Sequence, residues 1–146
     1  MKEGLLEAWR IHNEATQMLV QQLDETALAF TLSTRGGRTV GEQLLHLLKV
    51  RRQWLAPEDK SPFPTIQSPA LFIKALQQSN ADVQALIERA AESGKVKGFK
   101  KGLVPFIAYL IAHESHHRGN IMLTLKVGGI KLPDAVKWGM WDWNKL

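Results

Sequence analysis

Leu5, Trp9, His12, Thr16, Leu19 and Leu23 follow one another at alternating steps of four and three, which places them on one face of an amphipathic helix. The spacing predicts a first helix over roughly residues 2–23. The stretch TRGGRTVGEQ breaks it with paired glycines. Thr39-Val40-Gly41-Glu42 then restarts the chain as a capping box, in which the threonine hydroxyl and the glutamate carboxylate satisfy each other's free backbone amides, and a second helix follows over roughly 40–55. APEDKSPFPTIQSP cannot stay helical, because each proline lacks an amide donor and restricts its predecessor. Ser68 and Pro69 suit an N-cap and first turn, and Phe72, Leu76, Ser79, Val83, Leu86 and Ala90 carry a third stripe, so a third helix is predicted over roughly 69–92, ending before Gly94. Phe106, Leu110, His113, His117, Ile121 and Thr124 form a fourth stripe, stopped at Gly128 and Gly129.

The remainder, IKLPDAVKWGMWDWNKL, shows no helical period but holds three tryptophans within six residues, so it is expected to be an ordered, non-helical tail. Trp138, Trp141 and Trp143 would anchor it on the bundle or form a wall of a pocket. No segment alternates as a strand does, and no internal repeat is evident. The fold class expected is all-α, a four-helix bundle with a long connection between the second and third helices, in one domain over 1–146.

Composition narrows the chemistry. The chain has no cysteine, so disulfides do not build it, and any reaction needing a thiolate must take one from a small molecule. A net charge of +5 favours anionic partners. The basic cluster Lys95, Lys97, Lys100 and Lys101 reads as a solvated loop, and without basic residues ordered on a face or interleaved with aromatics no nucleic-acid partner is expected. The apolar run Val104–Ala112 is far short of the roughly 20 residues a membrane span needs, and the first residues acquire acids too early for a signal peptide. A cytoplasmic location with no membrane partner follows as the expectation, and the oligomeric state, a homodimer included, stays open.

AHESHHRGNI, residues 112–121, contains His-Glu-x-x-His, the signature of zinc peptidases. Residues four apart lie one turn above each other, so His113 and His117 suit a ligand pair for one divalent ion. The peptidase reading fails on the third ligand. Gly119 stands one position early for the extended motif, Leu123 stands where its histidine belongs, and no glutamate follows downstream. Glu114, about 100° from His113, is also expected to lie off the inward stripe. A third ligand must come from upstream, from His12 or His46. Periodicity prefers His12, because His46 shares a polar face with Glu42, Lys49 and Gln53.

TVGEQLLHLLKVRRQWL in the second helix together with HESHHRGNIMLTLKVGG in the fourth resembles the DinB/YfiT family of metal-binding four-helix bundles. The resemblance implies His46, His113 and His117 as metal ligands, with Arg118 and Gly119 completing the family pattern. It places the metal, Zn²⁺ or Ni²⁺ as imidazole donors allow, in a pocket that solvent reaches. His12, Glu42, His116, Arg118 and Trp141 are the expected neighbours: Glu42 as a partner for Arg118 or a fourth ligand, Gly119 as a point of close helix approach, and His116 as a surface residue. Members with a known activity include metal-dependent transferases of low-molecular-weight thiols such as bacillithiol or glutathione. The expectation is therefore an enzyme that joins such a thiol to a small electrophilic substrate. A hydrolase using metal-bound water, and a non-enzymatic metal-binding stress-response module, are the alternatives.

Overall fold

The computed structural model describes residues 1–33 and 35–146; Thr34, within the glycine-rich break, lies outside the described residues. Four long helices, α1 (Lys2–Val20), α3 (Val40–Leu55), α4 (Pro69–Ala90) and α5 (Leu103–Val127), form the bundle, and two short ones, α2 (Glu25–Ala29) and α6 (Asp134–Gly139), complete the helical elements. No strand occurs among the described residues. Helices α1 and α3 each pack against both α4 and α5, so α1 and α3 face each other across the bundle diagonal.

The expected start signals operate at atomic level. Thr39 Oγ1 accepts from the Glu42 amide at 3.1 Å, and the Glu42 carboxylate accepts from the Thr39 amide at 2.7 Å, closing the capping box of α3. Ser68 Oγ accepts from the Leu71 amide, with Pro69 in the first turn of α4. Gly102 precedes α5 at φ 89°, where an added Cβ would also lie 2.9 Å from the Gly94 carbonyl oxygen. Only glycine meets both demands.

Two helices were not legible as periods. The first helix stops at Val20, three residues before the predicted end, because Asp24 opens α2 by accepting from the Ala27 amide at 2.8 Å. α2 buries Ala27 and Leu28, and Phe30 after it lies so close over Gly128 that a Cβ there would meet its ring at 2.5 Å. The tail, expected to be non-helical, contains α6, a helix too short to display a 3.6-residue period.

The tryptophans do not anchor that tail. Trp138 and Trp141 are each 72% exposed and Trp143 41%, while Val136 and Met140 are buried in the main apolar cluster and Arg10 donates to the Leu146 carbonyl at 2.8 Å. Truncation after Pro133 is therefore expected to cost about 3 kcal/mol, from two buried side chains at roughly 1.5 kcal/mol or more each. It should lower the melting temperature by on the order of 10 °C. Trp138→Ser and Trp141→Ser should leave melting unchanged; a large loss in either one would restore the tryptophans as anchors.

The core is divided. One apolar cluster gathers Leu19, Leu44, Leu47, Phe72, Ile121 and neighbours, and a second gathers Trp9, Val83, Ile87, Phe106 and Leu110. Between them lies a buried polar layer of His12, Asn13 and Thr16 from α1, Arg51 from α3, and Glu114 and Arg118 from α5. His113 and His117 directly precede Glu114 and Arg118 on α5, and His46 lies five residues before Arg51 on α3.

Candidate metal centre

The four-residue step on α5 and one position of α3 bring three imidazoles together. His46, His113 and His117 each offer a nitrogen within 4.8 Å of the others, and all three are half-buried. Their ring centroids are 4.7–5.2 Å apart with the rings edge-on to one another. Imidazole nitrogens bind divalent zinc at about 2.0–2.1 Å, so small side-chain adjustments suffice to converge them on one ion.

Electrostatics favour the neutral, ligating form. Burial, then the neighbouring His113 and His46, push His117 down to about 4. Burial also lowers His46 and His113, and the Arg38 guanidinium lies close enough to lower all three. The Nδ1 atoms of His113 and His117 are buried without a hydrogen-bond partner. An unmet polar atom costs about 1–3 kcal/mol, and a cation held by the cluster, which also fixes each ring's tautomer and partners, is the kind of group that removes such a cost.

No fourth protein ligand joins the cluster among the described residues. Glu42, expected as a fourth ligand or a partner for Arg118, is occupied in the capping box of α3. Three neutral donors leave open positions and the full charge of a divalent ion, the arrangement of a Lewis-acid site and not of a closed structural one. Tyr109 stacks on His113 with centroids 6.1 Å apart, and exposed His116 lies against His117 while its Nε2 contacts the Asn120 amide at 3.2 Å. Trp141, 72% exposed, lies mostly in solvent.

Three further expectations are corrected. His12, which periodicity favoured as a ligand, is a fully buried histidine whose Nε2 meets Glu114 at 2.8 Å. Glu114, expected off the inward stripe, is 1% exposed at its centre. The true inward stripe of α5 runs through Leu103, Ile107, Leu110, Glu114, Arg118, Ile121 and Leu125, and the two histidines lie to one side of it, toward α3 and solvent. Arg118 donates to Thr16 Oγ1 at 3.0 Å and approaches His12 Nδ1 at 3.5 Å, and no atom comes within 4 Å of a Cβ placed on Gly119, so that glycine is not a point of close helix approach.

Sequence reasoning missed Arg51 altogether. It is fully buried, donates to both Glu114 oxygens at 2.7 and 2.8 Å, to Ser79 Oγ at 2.8 Å and to Asn13 Oδ1 at 3.0 Å, and lies 4.8 Å over the Trp9 ring. Burial alone would raise the Glu114 carboxyl, but the Arg51 charge and hydrogen bonds, with His12, outweigh it and hold the carboxyl at about 2.

Comparison with known proteins identifies the family. Residues 1–141 match the DinB family. The chain is 27% identical, over 99% of its length and 93% of the relative's, to the uncharacterized protein YrdA of Bacillus subtilis (strain 168). A crystal structure of a DinB-like protein from Bacillus cereus ATCC 10987 superposes with a TM-score of 0.72 at 20% identity, covering 90% of this chain and 95% of that one. With the match extending over nearly every residue, the three-histidine bundle described above belongs to the DinB family.

Proposed function

We propose that this protein is a divalent-metal-dependent enzyme that transfers a low-molecular-weight thiol of the bacillithiol or glutathione type to a small electrophile in the cytoplasm. One observation carries the reading: a solvent-reached cluster of three neutral imidazoles without a fourth protein ligand, in a chain without a cysteine. His46, His113 and His117 would hold Zn²⁺ or Ni²⁺. When bound, the ion supplies a positive centre that lowers the pKa of a thiol beside it. The protein's own part is to hold the three imidazoles deprotonated and to present Arg38 and Lys49 near them, cations suited to the carboxylates of such thiols. In the reaction the thiol proton passes to solvent and a carbon–sulfur bond forms; the broken bond's pair leaves with chloride from a chloro-aromatic, or goes to the ring oxygen of an epoxide, which stays attached and takes a proton from water.

Lowering a thiol from a pKa of about 8.5 to about 7 raises its thiolate fraction at neutral pH roughly fifteen-fold. Metal-loaded protein should therefore accelerate conjugation of glutathione or bacillithiol to a chloro-aromatic or an epoxide by at least about that factor, and His113→Ala should remove the gain. Metal-dependent cleavage of esters or phosphates, with no response to any thiol, would replace transfer by hydrolysis. Silence in both assays, with metal bound, would leave a metal-binding module.

A further inference from the structure

His46 lies on α3 and its two companions on α5, so the site exists only while these helices keep one rotational setting against each other. Hydrophobic packing does not select that setting strongly. α5 is apolar on its outer side as well, where Val104, Tyr109, Leu123 and Val127 are exposed and Lys126 is its only exposed full charge. Rolling the helix would exchange one apolar face for another, and apolar burial is non-directional. What does carry direction is the bidentate contact between Arg51 of α3 and Glu114 of α5 at 2.7 and 2.8 Å, five residues after His46 and one residue after His113.

We propose that the buried Arg51–Glu114 pair, braced by His12, is the positioning device of the metal site: it fixes the roll of α5 against α3 and thereby brings His113 and His117 onto His46. The inference rests on the reading that these histidines hold a divalent ion. A side-chain donor about 6 Å from the helix axis moves about 2 Å for a 20° roll, whereas a functional constellation must be held within about 0.5 Å. Every oxygen of Glu114 is committed. Oε1 accepts from Arg51 Nε, and Oε2 accepts from Arg51 NH2 and from His12 Nε2 at 2.8 Å. Ser79 Oγ accepts from the remaining guanidinium nitrogen, Nη1, and Asn13 Oδ1 also accepts from Nη2, so all four long helices meet in this cluster. The pair faces the core with Glu114 1% and Arg51 0% exposed, which also removes Glu114 from the acid–base role its place in the His-Glu-x-x-His pattern would suggest. Its side chain orients the ligands and touches no substrate.

The test uses the full chain, with Co²⁺ as the probe because its visible absorption reports ligand geometry. Parent protein is titrated first, then Glu114→Gln, which keeps the shape and loses the charge, Arg51→Lys, which keeps the charge and loses the fork, and the apolar double variant Arg51→Met/Glu114→Leu. Each is checked for helicity and a cooperative melt, and any one that folds decides the matter. The double variant is the safeguard, since well-packed apolar residues replace a buried ion pair at little cost in stability. Expected are Co²⁺ affinity weakened at least tenfold and an altered absorption band in folded variants, the double variant included. Folded variants with parental affinity and an unchanged band would overturn the positioning role. A parent that binds no divalent metal would instead overturn the metal site itself, so the two failures are distinguishable.

Discussion

Alanine at His46, His113 or His117 is expected to abolish stoichiometric divalent-metal binding, while alanine at His116 leaves it intact. The three imidazoles are the whole donor set among the described residues. Removing one leaves two imidazoles, with no further histidine or carboxylate grouped with them among the described residues, a larger loss than the roughly 10–100-fold that follows from altering a group outside the coordination sphere. His116 is exposed and contacts Asn120. None of the three ligands belongs to either apolar cluster, so far-ultraviolet circular dichroism of the variants, and of chelated parent, should keep its helical form. A small zinc module would collapse on metal loss; a 146-residue bundle with its own core does not depend on the ion. Isothermal titration with Zn²⁺ and Ni²⁺ reads the first claim. Normal binding by His46→Ala would refute the ligand assignment outright.

The legible parts of this fold are those where hydropathy and backbone chemistry point the same way. The capping box at Thr39 and Glu42 and the Ser68-Pro69 start are local, and they form as written because their partners are three residues away. His113 and His117 are legible as a pair for the same reason. His46 was not, because a side chain facing a half-open site sits on what a hydropathy count scores as the polar face, and only the family resemblance pointed to it. The buried layer was misread for the opposite reason. Glu114 and Arg51 count as solvent residues until their partners are known, and those partners lie 63 positions apart in sequence. Once they are paired, the stripe of α5 shifts by one position and His12 changes from candidate ligand to hydrogen-bond donor. The exposed tryptophans teach the converse. Two 72%-exposed rings cannot anchor a segment that Val136 and Met140 already hold.

Arg51→Ala is expected to destabilise the fold by about 3–5 kcal/mol, the cost of leaving the Glu114 carboxylate buried without its counter-ion. Against a total of about 5–15 kcal/mol for a domain, that loss brings the variant close to unfolding at ambient temperature. The same pair sets the acid limit of the parent. Glu114 is held at about 2 against an ordinary value of 4.5, so its contribution is fully present above pH 4.5 and is lost as pH falls from there through about 2. A depression of that size corresponds to about 3 kcal/mol of linked stability. His12 acts in the same direction from a higher pH. Burial lowers it despite Glu114, so the unfolded chain takes up a proton below about pH 6.5 that the folded chain refuses. Urea unfolding between pH 7 and pH 3 should therefore show stability falling on acidification, with the steepest part below pH 4.5. In Arg51→Met/Glu114→Leu that lower segment should become shallower, because no carboxylate remains at the site to be protonated while buried His12 still refuses its proton. An unchanged pH profile in the folded double variant would mean that other carboxylates set the acid limit and that the Glu114 pair contributes little to it.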